Sequence, residues 1–261
     1  MSTRDTRQIA VVCAMESEAV HLRARLEHPE EIGLTRWRRT RGTIGAHTVD
    51  VIVSGIGLIN AGAATTALCT LENPAALLNY GCSGAHREDI APGDVIIADR
   101  VVHFSSLVVL PDGSRRYQGF SFYVDHERVL SESIPADPEL LAAAQDAGQR
   151  LNLAPWPGVE HRPVVYTGVV GSADIWTQHI DSIRDLHSIH GSLCEEMEAA
   201  AIAQVAAMHG VPFLAVKDIS NNELVAFSDL STPTGTILGH VQDEVGKRAA
   251  VLVEALISGM T

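Results

Sequence analysis

Short, nearly all-apolar runs that stop abruptly at small or polar residues constrain this chain most. Ile9-Ala10-Val11-Val12-Cys13-Ala14 is the first, and it breaks at Met15-Glu16-Ser17-Glu18. A strand that is apolar at every position must be covered on both faces, which calls for a sheet held between layers of helices. Residues 48–53 repeat the pattern and end in Ser54-Gly55-Ile56-Gly57, and residues 76–80 stop at Gly81-Cys82-Ser83-Gly84. Residues 94–98, 164–170 and 211–216 read as further strands, the last running on to Ser220-Asn221-Asn222. Helical patterns fall between them: one through Val20, Leu22 and Leu26, then residues 60–71, 197–209 and 236–257. Strands alternating with helices predict an α/β fold, a three-layer αβα sandwich with a central mixed, mostly parallel twisted sheet. No Pro/Ser-rich linker and no internal repeat divides the chain, so residues 1–261 are expected to form a single domain.

Charge and cysteine usage narrow the function. A formal charge of −13 and the lack of a Lys/Arg cluster argue against a nucleic-acid partner. The one basic run, Arg36-Trp37-Arg38-Arg39-Thr40-Arg41, reads as a solvated hairpin edge. Cys13, Cys69, Cys82 and Cys194 are scattered without a C-x-x-C pair, as expected of reduced thiols in the cytoplasm. The stretch from Met1 to Gln8 is polar and lacks a signal-peptide core. No apolar run reaches about eighteen residues, so no membrane span is expected. His179, His187 and His190 make no ligand pattern, and no metal site is expected.

In open α/β sheets ligands bind beyond the carboxyl ends of the strands. Four such ends, at residues 15–18, 54–57, 81–84 and 220–222, therefore predict one pocket assembled from distant segments. A further polar feature is Glu195-Glu196-Met197-Glu198, which precedes the alanine-rich helical run. Carboxylates there suit the positive end of a helix dipole, and they also suit the grip of a polar ligand.

Taken together, Ala14-Met15-Glu16-Ser17-Glu18, Ser54-Gly55-Ile56-Gly57, Gly81-Cys82-Ser83-Gly84, Gly93-Asp94-Val95, Glu196-Met197-Glu198-Ala199 and Ile219-Ser220 resemble the nucleoside phosphorylase and nucleosidase superfamily. The likeness is strongest to its methylthioadenosine/S-adenosylhomocysteine nucleosidase branch. It implies a hydrolase that splits the N-ribosidic bond of a purine nucleoside, a 5′-modified adenosine or a 6-oxopurine nucleoside, without a cofactor. Glu18 would polarise the attacking water, and Glu198 would accept hydrogen bonds from the ribose hydroxyls. Met197 would pack under the sugar with Glu196 beside it, while Glu195 reads as a surface charge and Glu16 as an exposed first-turn charge. Cys82, Ser83 and Gly84 would lie against base and sugar, with Cys82 a small lining thiol and not a nucleophile. Ile56 is either a contact for the 5′ substituent or a turn residue. Asp174 holds the position that stacks on the purine in relatives, so Trp176, next to Ile175, is either the stacking ring or a core tryptophan. Arg115, Arg116 and Tyr117 are either contacts for a polar 5′ group or solvated loop residues. By analogy a homodimer is expected, with a hexamer as the other form.

Two departures shape the reading. The phosphorylase-type Gly-Asp-Pro turn is replaced by Cys13-Ala14-Met15-Glu16, and no arginine precedes Gly81, which favours water over phosphate as nucleophile. At the last strand end Asn221 stands where adenine-acting relatives carry aspartate. An amide donates and accepts hydrogen bonds but does not deliver a proton as a carboxylic acid does. Three readings remain: a 6-oxopurine or modified nucleoside, an adenine enzyme that uses Asp218 or Glu223, or a binder without turnover. A phosphorylase is the remaining alternative.

Overall fold

The first strand explains why the sheet lies at the centre. In the computed structural model, which describes residues 8–228 and 243–260, β1 (Gln8–Cys13) is buried along its whole length. Ala10 and Val12 enter one apolar layer, and Ile9, Val11 and Cys13 enter the other. Next come α1 (Glu16–Arg23), β2 (Glu27–Leu34), β3 (Trp37–Ile44), β4 (His47–Val53), α2 (Leu58–Leu71) and β5 (Ala76–Ala85). β6 (Val95–His103) leads into short strands β7 (Leu107–Val109), β8 (Arg115–Tyr117), β9 (Phe120–Val124), β10 (Glu127–Ser131) and β11 (Ser133–Pro135). The remaining elements are α3 (Pro138–Arg150), β12 (Val165–Ser172), α4 (Ile180–His190), β13 (Ser192–Glu196), α5 (Ala199–His209), β14 (Phe213–Asn221) and α6 (Lys247–Gly259).

Helices cover both faces of the sheet. Ala61, Ala64 and Leu68 of α2 and Ile202 and Ala203 of α5 close the first apolar layer. Leu22 of α1, Leu140 and Ala144 of α3, and Leu252 and Leu256 of α6 close the second. This is the expected three-layer sandwich. The run β4–β1–β5–β14 pairs in parallel, while β2 and β3 extend it antiparallel at one edge. Pairing then returns on itself. β14 meets β6, β6 meets β12, β12 meets β13, and β13 meets β5 again, so part of the sheet is a closed ring. The ring brings the carboxyl ends of β5, β13 and β14 together.

Several sequence expectations need correction. Residues 81–84 do not stop β5, which runs on to Ala85, because β14 and β13 supply pairing partners for Gly84. The helix expected from Met197 begins at Ala199, and Glu195 and Glu196 end β13. Among the described residues the last helix starts at Lys247; the part expected at 236–242 lies outside them, as do residues 1–7. The basic run is only half solvated. Arg36 and Arg38 are exposed, but alternation along β3 turns Arg39 and Arg41 toward Asp50 and Glu72.

That acidic anchor ties the edge hairpin to the core. Asp50 is fully buried and takes Arg41 Nε and Nη2 at 2.8 Å each, with Gln8 Nε2 also at 2.8 Å. Breaking a buried ion pair by deleting one partner leaves an uncompensated charge, which typically costs about 3–5 kcal/mol. Asp50→Ala should lose stability in that range in urea denaturation. A loss under about 1 kcal/mol would mean that the edge strands hold by pairing alone.

Candidate active site

A cavity of about 390 Å³ opens at the strand ends, walled by residues 14, 15, 17, 18, 56, 82–86, 175–177, 195–198, 220, 221, 223 and 245 among others. Of the residues singled out from sequence, Glu18, Ile56, Cys82, Ser83, Gly84, Ile175, Trp176, Glu196, Met197, Glu198 and Asn221 all line it. Arg115, Arg116, Tyr117, Asp174 and Asp218 do not. Arg115 and Arg116 are exposed on β8, and Tyr117 packs edge-on against His190.

Glu18 sits on the first turn of α1 with its carboxylate turned back to the strand ends. Its Oε2 accepts the Ala14 and Met15 amides at 3.0 Å each, and its Oε1 accepts the Cys82 amide at 2.8 Å. A carboxylate offers roughly four acceptor positions, so three backbone donors leave about one unfilled on a residue that lines the cavity. Gly81 makes this approach feasible: a Cβ there would fall 2.5 Å from Glu18 Oε1. Glu16, by contrast, is exposed and pairs with Arg23.

Glu198 lies at the turn between β13 and α5, nearly buried, with Oε1 accepting the Gly57 amide at 2.8 Å. Burial, and next the neighbouring Glu196, raise its pKa to about 8; Lys217 opposes the shift. Glu196 is not aimed at the cavity as a free group. It accepts the Glu198 and Ala199 amides and pairs with Lys217 Nζ at 2.6 Å, both side chains only 1% exposed. It therefore caps α5 and holds the counter-charge of the site. Lys217 itself has its pKa held up by Glu196 and Glu198 against the opposing effect of burial.

Other residues around the cavity differ more from expectation. Glu195 is no surface charge. It is buried, takes the Thr177 amide at 2.7 Å and the Thr177 hydroxyl at 2.9 Å, and meets His86 Nε2 at 3.2 Å. Sequence reading missed it because the apolar helical run after it suggested a solvated first turn. Asp174 serves the backbone, accepting the Leu58 amide at 2.7 Å at the start of α2. Trp176 is at the cavity wall and half-buried, not in the core. Asn221 donates from Nδ2 to Glu223 at 2.9 Å, and its Oδ1 accepts the Ser220 hydroxyl at 2.8 Å. Asp218 faces away from the cavity and is fully buried, accepting the Arg248 amide at 2.9 Å. Burial first, and then the Glu18 carboxylate, push the Cys82 thiol well above its ordinary range, which disfavours a thiolate nucleophile. Among the described residues no group of three His, Cys, Asp or Glu side chains is arranged to hold a metal, and no helix is long and apolar enough to cross a membrane.

The raised Glu198 carboxyl has a stability consequence. Between its ordinary value of 4.5 and about 8 the folded chain keeps a proton that the unfolded chain releases, so its contribution to stability falls as pH rises through that window. Glu198→Gln should match the wild type near pH 5 and be the more stable protein near pH 8, as read by urea midpoints. A gap that fails to widen with pH would contradict the assigned environment.

The family model for the phosphorylase superfamily matches residues 8–258. A 5′-methylthioadenosine/S-adenosylhomocysteine nucleosidase of Geobacillus kaustophilus (strain HTA426) is 28% identical over 253 residues, spanning 96% of this chain and 97% of that protein. The fold superposes on the nucleosidase of that name from S. pneumoniae, solved with a transition-state inhibitor. The TM-score is 0.76 at 24% identity, with 97% of this chain and all of that one covered. A futalosine hydrolase mutant of Helicobacter pylori matches at TM-score 0.78 and 20% identity over 97% of this chain and all of that one. With nearly its whole length matched by the family model, the chain belongs to the phosphorylase superfamily.

Proposed function

We propose that this chain is a nucleosidase that hydrolyses the N-ribosidic bond of a purine nucleoside, releasing the free base and a ribose derivative. The observation that carries the reading is electrostatic. Three buried carboxyls, on Glu18, Glu196 and Glu198, gather at one end of the cavity with a single buried lysine, Lys217, among them. A sugar that loses its base becomes oxocarbenium-like, and that positive charge supplies what the cluster lacks.

Each group then has a task. Glu198 accepts hydrogen bonds from the ribose hydroxyls, and Met197 packs beneath the ring. Glu18 uses its remaining acceptor position to hold a water and to take its proton as the oxygen bonds to C1′. The C1′–N bond breaks with its electron pair leaving on the base, which takes a proton from solvent water at a ring nitrogen, while the proton accepted by Glu18 returns to solvent. Asn221 hydrogen-bonds the departing base, Trp176 and Ile175 flank it, and Cys82, Ser83 and Gly84 form the floor. Ile56 and Ile175, both substantially exposed at the wall, suit an apolar 5′ substituent. Nucleosidases named for 5′-thio nucleosides among the relatives support the same reaction class.

A phosphorylase would have to bind a phosphate dianion beside these carboxyls. The cavity wall holds neither Lys nor Arg among the described residues, so charge-assisted contacts for phosphate are lacking there. A homodimer acting in the cytoplasm is the assembly and location we infer, the former checked by sedimentation of the purified protein.

Base release should proceed equally with and without inorganic phosphate, and Glu18→Gln should lose at least about a hundredfold in kcat, the usual scale of general base catalysis. Strict phosphate dependence would establish the phosphorylase instead. Tight nucleoside binding without turnover would establish a binding protein.

A further inference from the structure

Asp218 is a fully buried carboxyl for which the reaction above has no use. Its Oδ2 accepts the Arg248 amide at 2.9 Å, and its Oδ1 is buried with no hydrogen-bond partner among the described residues. Its hydrogen bonding is therefore directed to the first turn of α6. That helix cannot cap itself, because its N-cap is Gly246, which has no side chain. A carboxylate reaching across from β14 supplies the missing acceptor at the positive end of the helix. Arg248, its side chain only 1% exposed, then locks the turn in place. Its Nη1 lies 3.7 Å from Asp218 Oδ2, its Nη2 donates to Glu244 Oε2 and to the Pro155 carbonyl at 2.8 Å each, and its Nε donates to the Ala154 carbonyl at 2.7 Å. The guanidinium also sits over the Trp156 ring.

The turn anchored in this way lies directly on Glu18. Gly246 has a φ of 73°, and a Cβ there would fall 3.2 Å from Glu18 Cβ, 3.3 Å from its Cγ and 3.4 Å from its Cα. The glycine therefore lets the start of α6 pack against the stem of Glu18. Val245, the residue before it, is buried at the cavity wall. Tyr80 donates its hydroxyl to the Glu18 carbonyl at 2.7 Å, so backbone and stem are both held. Cys82, whose amide meets Glu18 Oε1, pairs in register with Asp218 across β5 and β14. One rung of the sheet thus carries both a donor to the Glu18 carboxylate and the anchor of the turn that covers its stem.

We propose that Asp218 is a positioning residue for Glu18: by capping α6 from β14 it seats the turn at Val245 and Gly246 on the Glu18 stem and so fixes the carboxylate that takes the proton of water. This inference rests on the nucleosidase reading above. A general base works only within hydrogen-bond reach of its proton, and a misplacement of about 1 Å can cost roughly a hundredfold in rate. The ionised carboxylate is the form that grips α6, since it faces helix amides and the Arg248 guanidinium. The charged and titratable groups on the elements around it are Arg248, Glu244 and Lys247 at the start of α6, Cys82 on β5, Glu18 on α1, and Asp94 ahead of β6, whose carboxylate is turned to His161 and the Val164 amide. Burial raises the Asp218 carboxyl to about 7 against the pull of Arg248, and Glu244 adds to the rise. The anchor is therefore complete above that pH and weakens as pH falls through it.

The test compares the wild type with Asp218→Asn, which keeps the shape and loses the charge, on one purine nucleoside across a range of pH. At about pH 8.5 kcat should fall at least about tenfold with KM within about threefold, and the ratio of wild-type to variant kcat should shrink toward unity by about pH 5.5. A double-mutant cycle identifies the route. In a Glu18→Gln background the same substitution should change kcat by less than about threefold, whereas a general structural defect would cost as much in both backgrounds. Full kcat at about pH 8.5, a loss in KM alone, a ratio that does not move with pH, or an equal loss in both backgrounds would overturn the proposal. Should Asp218→Asn not fold, Gly246→Ala tests the same path at its contact with Glu18: kcat should fall at least about tenfold, and an unchanged kcat would overturn it. A wild type that turns over no purine nucleoside would instead remove the reading on which the proposal rests.

Discussion

The ion pair between Lys217 and Glu196 is what allows this pocket to exist. Both side chains are out of water, 2.6 Å apart, and they join the end of β13 to the middle of β14. Burying charge is expensive unless it is paired and hydrogen-bonded. Glu196 meets that condition through Lys217 and the first amides of α5. Glu198 meets it only in part, and its pKa is raised accordingly. The cluster is thereby left short of positive charge at the place where the proposed reaction generates it. Stability given up in the resting protein is recovered as binding of the transition state, the direction in which catalytic electrostatics must run.

The closed pairing of β5, β14, β6, β12 and β13 positions these groups. A flat parallel sheet would leave the ends of β13 and β14 apart, whereas here both flank β5. The glycines of β5 matter for what they omit. Gly81 lets Glu18 reach the backbone of the opposite strand, and Gly84 leaves the space between Glu195 and Asn221. Turn amides do the rest: those of Ala14, Met15 and Cys82 hold Glu18, and that of Gly57 holds Glu198. The two carboxyls to which the proposal gives the chemistry are thus fixed by backbone donors on rigid elements, which limits their freedom before any ligand arrives.

Much of this was legible from sequence, for identifiable reasons. Strands buried on both faces announce themselves as continuous apolar runs, so β1, β4, β5 and β14 were found along with the helices α2 and α5. Glu18 and Glu198 were singled out by the resemblance of their motifs to the family, since a carboxylate at a helix start is by itself equally a helix-terminus charge. Glu195 was misread because it belongs to β13, a five-residue strand whose burial comes from ring closure and not from a local pattern. Arg39 and Arg41 were misread for a similar reason, since their partner Asp50 lies on β4 and Glu72 beyond α2. The strands from β7 to β11 are three to five residues each, too short for periodicity to speak clearly; β7–β8 and β9–β10 pair locally, while β11 returns to β6.

The central claim is that water, activated at Glu18 beside a carboxylate-rich sugar site, attacks the anomeric carbon. Turnover in ¹⁸O-labelled water with inorganic phosphate present tests it directly. The account predicts a free ribose derivative carrying one ¹⁸O at C1′, measured by mass spectrometry under conditions that suppress exchange. A sugar 1-phosphate without label would contradict it.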